Sequence, residues 1–238
     1  MKLDILVFGA HPDDVELGCG ATIAKEVASG KKVGIVDLTR GELGTRGSAE
    51  LRAKEAVASA KILGVSVREN LAFADGFFTN DKEHQLKIIE KIRKYQPEIV
   101  LCNAVDDRHI DHPKGSRLVS DACFLSGLLK IETKIEGLVQ EKWRPKQVYH
   151  YIQWKNIEPH FVIDVTGFID KKVASVLAYG SQFFDPNSKE PQTPISSKNF
   201  TDSVTYRARD LGRLIGVEHA EGFTSERYVA VQNLSKLI

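Results

Sequence analysis

Residues 3–20 read LDILVFGAHPDDVELGCG, and the reading of this stretch decides the fold. Leu3 to Phe8 is a short apolar run of the kind that forms a buried strand. From about Val15 to Ala28 the pattern is helical, and Gly30 is placed to stop the helix. A strand that turns directly into a helix opens an α/β unit. His11, Asp13 and Asp14 stand in the turn between them, where two adjacent carboxylates repel each other.

The same alternation continues outward. Lys32–Leu38 reads as a second strand, and Ala49–Leu63 as a helix capped by Ser48 and stopped by Gly64. ENLAF (69–73) reads as a short third strand. Asp81 caps a helix through Tyr95, Pro97 ends it, and Glu98–Cys102 is the fourth strand. A polar loop, NAVDDRHIDHPKGS (103–116), is expected before a helix near Leu118–Leu129. Farther on, 146–152 and 160–165 read as strands, and Phe168–Tyr179 and Thr201–Ile215 as helices. Residues 184–197 form a Pro-rich loop. The fold class implied is α/β: a Rossmann-like, doubly wound, mostly parallel sheet of order 3-2-1-4-5. Further C-terminal strands are added, and helices cover both faces. One domain over 1–238 is the simplest division, since repeats and linkers are lacking.

Lys and Arg total 33 against 32 for Asp and Glu, so a nucleic-acid or anionic membrane partner is not expected. No apolar run approaches the roughly 20 residues that span a bilayer. The start of the chain reads as a strand and not a signal peptide. Cys19, Cys102 and Cys123 are odd in number and outside C-x-x-C spacing. That argues against disulfides and for a reducing, cytoplasmic location.

His11, Asp13 and Asp14 follow the carboxyl end of strand one, where open α/β sheets bind ligands. A single Asp there would be read as a helix cap. Three such groups favour chemistry, and H-x-x-D spacing can bring His11 and Asp14 onto one ion. Gly18 and Gly20 make no dinucleotide fingerprint. A catalytic zinc site needs a further ligand from the same sheet edge, and strand four is the neighbour of strand one in the expected order. The loop after strand four offers His109, Asp111 and His112, with Asp106, Asp107 and Arg108 beside them. His84, His150, His160 and His219 are scattered and taken as structural.

AHPDD followed by Glu16, with HIDH on the later loop, resembles the LmbE-like or PIG-L-like zinc-dependent N-deacetylases. The second motif usually reads H-P-D-H, and Ile110 stands where that family has proline. GVEHAEGF (216–223), SQF (181–183) and the surroundings of Arg52 are most similar to the bacillithiol-biosynthesis deacetylases. That resemblance implies removal of acetate from N-acetylglucosaminyl-malate. It implies Zn2+ held by His11, Asp14 and His112, with Asp13 as proton acceptor. His109 would donate a hydrogen bond to the developing oxyanion, with Asp111 orienting it and favouring its charged form, and either Asp13 or His109 would protonate the leaving amine. Arg52 and Arg108 are the candidates for substrate carboxylates or hydroxyls. Arg52 paired with Glu55 on a wet helix face is the plainer alternative. Gly41, Gly44 and Gly47 would let backbone approach a sugar; they form no P-loop. The expected partner is a small GlcNAc conjugate, and a homo-oligomer, trimer or hexamer, is the family expectation. Thiol-conjugate amidase activity, deacetylation of another GlcNAc compound, and a non-catalytic sugar- or nucleotide-binding module are the alternatives.

Overall fold

The computed structural model describes residues 1–236. Strands β1 (Ile5–Gly9), β2 (Val33–Thr39), β3 (Val67–Phe73) and β4 (Ile99–Cys102) alternate with helices α1 (Asp14–Ala28), α2 (Ala49–Leu63), α3 (Lys82–Tyr95) and α4 (Asp111–Leu125). A small hairpin, β5 (Lys134–Ile135) and β6 (Leu138–Val139), precedes β7 (Gln147–Tyr151) and β8 (Phe161–Asp164). Helices α5 (Ile169–Leu177) and α6 (Lys198–Leu214) and strand β9 (Ala220–Ser225) follow, and then a short 3-10 helix, Leu234–Lys236. The main sheet runs β3-β2-β1-β4-β7-β9-β8, parallel through β7. β9 is antiparallel to both of its neighbours.

β1 is buried at all five positions because helices cover both faces of the sheet. Leu6 and Phe8 pack with the residues of α3 and α4, while Ile5 and Val7 pack with those of α1. The helix ends follow local chemistry. Ser48 accepts the Leu51 N–H, and Gly64 closes α2 in the left-handed conformation. Asp81 accepts from the N–H groups of Glu83 and His84.

Two features depart from the expected pattern. Helix α4 begins at Asp111, seven residues before the expected Leu118. Pro113 does not prevent this, because first-turn N–H groups have no partner within the helix. Asp111 and His112 therefore stand on a helical turn. The other departure is β9, which inserts residues of GVEHAEGF into the sheet. Its Glu221 accepts the N–H groups of Ala21 (3.2 Å) and Thr22 (2.7 Å) and pairs with Lys172 at 2.5 Å. Those N–H groups follow a break in α1 at Cys19, whose φ/ψ of −144°/24° is not helical. The carboxylate thus caps the second half of α1 from a distant strand. Just before the break, a Cβ on Gly18 would lie 2.1 Å from Tyr151, so only glycine allows this contact.

Candidate metal centre and active site

The chemistry-bearing side chains enter just beyond the carboxyl ends of four strands. His11, Asp13 and Asp14 follow β1, Asp75 follows β3, Asn103 and Asp107 follow β4, and Gln153 follows β7. His11, Asp13, Asp14, Asp75 and Gln153 line a cavity of about 570 Å³, with Asn103 and Asp107 behind it. A larger groove of about 700 Å³ runs beside α4, lined by Arg117, Arg144, Lys146 and Glu226. Its described lining residues include no histidine, so the chemistry belongs to the smaller cavity.

Asp14 is the centre of the cluster. Its Oδ1 lies 3.1 Å from His112 Nε2, and its Oδ2 lies 3.4 Å from His11 Nδ1. Asn103 Nδ2 (3.0 Å) and the His11 N–H (2.9 Å) donate to Oδ2, and Gln153 Nε2 (2.7 Å) donates to Oδ1. Behind each imidazole stands another carboxylate. His11 Nε2 is 3.0 Å from Asp75 and 3.4 Å from Asp111; His112 Nδ1 is 2.7 Å from Asp107. A carboxylate on the rear nitrogen presents the front nitrogen as a lone pair, which is how metal-ligating histidines are usually held. Two imidazoles and a carboxylate meeting in a buried pocket are a donor set that suits a divalent ion such as zinc. Burial opposes charge on His112, but Asp14 and Asp107 outweigh it and lift the imidazole to about 9. His11 is raised as well, with Asp14 as the chief force against burial. The field that draws protons to this point equally draws a cation.

Asp13 is different from its neighbour. Its backbone φ is 121°, and its side chain makes no capping bond. A non-glycine residue in this region is strained, and such strain concentrates at functional sites. The carboxylate instead faces Arg52, 2.5 Å away. Burial pushes it up to about 6, with Arg52 working in the opposite direction. A base poised near neutrality is what proton transfer at neutral pH requires.

His109 completes the group. Its ring centroid lies 4.6 Å from that of His11 and 5.2 Å from that of His112. One nitrogen from each of the three lies within 4.8 Å of the others. Yet among the described residues no carboxylate pairs with the His109 ring. The backbone N–H of Asp111 donates to His109 Nδ1 at 3.2 Å, which places the imidazole proton on Nε2. Burial and the positive charge of His11 and His112 lower its pKa.

Several sequence-based roles change here. The Asp111 carboxylate accepts from Gly76 N–H (2.8 Å), pairs with Lys114 (2.8 Å) and faces His11; it does not orient His109. The reason is that Asp111 lies on the first turn of α4 and points toward the loop after β3. His109 is correspondingly displaced toward neutrality and not toward charge. Arg52 is buried against Asp13 and the Gly41 carbonyl, so neither a free substrate cation nor a pair with Glu55 is observed. Glu55 instead accepts from Ser181 of the SQF segment, through N–H (2.8 Å) and hydroxyl (2.7 Å). Gly41 is needed because a Cβ there would lie 2.1 Å from Arg52 Nη1, so this glycine makes room for the arginine. Arg108 stands at the rim, 4.5 Å over the Trp154 ring. Trp154 stacks in turn on Phe200 at 5.3 Å, giving the cavity an aromatic wall. Thr193, Pro194 and Ile195 of the Pro-rich loop also line the cavity, and Arg46 ties that loop down through Ser188. Asp75, Asn103 and Gln153 are functional candidates that the sequence does not single out. Their position after strand ends is the available signal.

The chain matches the PIG-L family, described as GlcNAc-PI de-N-acetylase, over residues 6–123. It is 30% identical over 191 residues to the diacetylchitobiose deacetylase of Thermococcus kodakarensis, covering 75% of this chain and 70% of that protein. It is also 30% identical over 198 residues to the 4-oxalmesaconate hydratase of Pseudomonas putida, covering 74% and 73%. Among solved structures, the conserved protein TT1542 of Thermus thermophilus superposes with a TM-score of 0.86 at 37% identity, over 98% of each chain. With a sheet of this order, a histidine–carboxylate cluster at its carboxyl edge and relatives matched over most of their length, the chain belongs to the PIG-L family.

Proposed function

We propose that the protein is a zinc-dependent N-deacetylase of an N-acetylglucosaminyl conjugate, with N-acetylglucosaminyl-malate as the specific substrate. The observation that carries this reading is the placement of Asp13. It is a buried carboxylate lifted toward neutrality, beside Asp14 and in one cavity with His11 and His112. His11, Asp14 and His112 would hold the ion, which supplies Lewis acidity toward a carbonyl oxygen and acidifies water when bound. Asp13 accepts the proton of the attacking water, and Arg52 fixes the direction of its carboxylate. His109 offers an Nε2–H to the oxygen that gains charge, or to the departing amine. The aromatic wall of Trp154 and Phe200 suits a sugar face, and the guanidinium of Arg108 at the rim suits an acidic aglycone.

The similarity to a deacetylase supports amide hydrolysis. The equal similarity to a hydratase supports a second reading, water addition to an unsaturated acid, by the same base and ligand set. One experiment separates them. Acetate release is followed with N-acetylglucosaminyl-malate, diacetylchitobiose, N-acetylglucosamine and a thiol conjugate, with zinc removed and restored. Hydration of 4-oxalmesaconate is followed in parallel. Zinc-restored acetate release, fastest with the malate conjugate, is the expected result. Hydration without acetate release would replace the first reading with the second, and full activity after metal removal would end both.

A further inference from the structure

Below the metal centre lies a histidine that the proposed chemistry does not use. His150 is on β7, in register with Cys102 of β4, and is 3% exposed. Its Nε2 lies 3.1 Å from Glu226 Oε1, so this nitrogen carries a proton directed at the carboxylate. Its Nδ1 lies 2.8 Å from Ser116 Oγ and 3.2 Å from both the Asn103 carbonyl oxygen and Cys102 Sγ. Ser116 can donate or accept, so the ring is held from both edges.

Two of these partners lead directly to the ligand set. Asn103 divides its side chain between the residue that follows β1 and the cluster: Oδ1 accepts the Ala10 N–H at 2.8 Å, and Nδ2 donates to Asp14 Oδ2 at 3.0 Å. Ser116 lies four residues after His112 on α4, one turn along the same helix face. Gly115 of the same helix lies beside Asn103, where a Cβ would make an ordinary contact with Oδ1 at 3.5 Å and a close one with Leu38 at 3.2 Å. His150 therefore touches the residue that orients Asp14 and the helix that carries His112. On its other edge, Glu226 is partly exposed and lines the larger groove.

We infer that His150 is a positioning residue for the divalent-ion site, locked by Glu226 and acting through Asn103 on Asp14 and through Ser116 on His112. The inference rests on His11, Asp14 and His112 being the ligands. Outer partners of ligating residues change metal affinity by about 10- to 100-fold, and a group one bond farther out belongs at the low end.

The test is zinc affinity of the full chain, measured by chelator competition, together with the melting temperature of the metal-free protein. Glu226→Gln and Ser116→Ala sit at the two edges of the ring and do not empty the core, so they remain informative even if His150→Asn fails to fold. Each is expected to weaken zinc binding on the order of 10-fold. In a His150→Asn background, Glu226→Gln should add little, because its effect passes through the ring. A structural role alone would lower the melting temperature and leave zinc affinity unchanged. Wild-type binding with unchanged affinity in both edge variants overturns the inference. Absence of zinc binding in the wild type, or binding that survives Asp14→Ala, overturns the ligand assignment and the inference with it.

Discussion

The loops after β1 and β4 each carry a pair of chemically identical groups whose ionisation is pushed apart. In the first, burial lifts Asp13 to about 6, while His112 and His11 hold Asp14 well below the usual carboxylate range against burial. In the second, Asp14 and Asp107 lift His112 to about 9 against burial. Burial and two positive neighbours lower His109. Like groups separated in this way mark a division of labour. The member held in its cluster by opposite charge suits a fixed ligand. The member displaced toward neutrality suits proton transfer. The means differ between the two loops. The first places two imidazoles against Asp14, while Arg52 only partly offsets the burial of Asp13; the second sets a carboxylate behind only one of its two rings.

The largest effect should come from breaking the first pair. Asp13→Asn keeps the shape and exchanges one residue type for another of similar backbone tolerance, so the strain at φ 121° is carried over and not newly introduced. Turnover should fall by about 10²- to 10⁴-fold with bound zinc retained. Metal content and kcat, measured on one preparation, check this; normal turnover would remove Asp13 from the base role. The second pair gives the next effect. His109→Gln should lower kcat by about 10²- to 10³-fold, the loss typical of one donor to a developing oxyanion, with zinc binding intact. Loss of zinc in this variant would instead make His109 a ligand, and the contrast with His112 would disappear.

A smaller effect tests the supports. His112 has one carboxylate behind it, at 2.7 Å, whereas His11 has Asp75 at 3.0 Å and Asp111 at 3.4 Å. Asp107→Asn should therefore weaken zinc binding by about 10- to 100-fold, and Asp75→Asn by less. Chelator competition decides between them, and equal losses would show that Asp111 does not share the load on His11.

The sequence shows the two loops more clearly than it shows what lies between them. α2 and α3 run as their caps predict, because Ser48, Gly64 and Asp81 act on the nearest backbone groups. His11, Asp14 and His112 come together as strand order implies. Asp75 is illegible in the sequence because its partner His11 is 64 residues away. The partner of Asp111 differs from the expected one because sequence spacing does not say where a first-turn side chain points. β9 is hidden because AEGFTS lacks the apolar density of a buried strand. Its hold on the fold comes from Glu221 meeting two N–H groups nearly two hundred residues earlier. Gly41 reads as a ligand-binding glycine, although its neighbour is an arginine side chain.

The smallest effect concerns the metal-free protein, where the two Asp13 influences can be separated. Burial raises this carboxyl from 3.8 to about 6, and Arg52 lowers it. Between those values the folded chain holds a proton that the unfolded chain has released. The associated stability is complete below the unfolded value and is lost as pH rises through about 6, at about 1.4 kcal/mol for each pH unit separating the folded and unfolded values. Asp13→Asn should flatten this part of the stability profile. Arg52→Met removes the opposing charge, so the carboxyl should titrate higher still and the decline should extend to higher pH. Urea unfolding across the pH range between the two values, together with a carboxyl-carbon NMR titration, would measure both. An Asp13 that titrates at an ordinary 3.8 would remove the raised half of the contrast, and only the lowered Asp14 would then set the two aspartates apart.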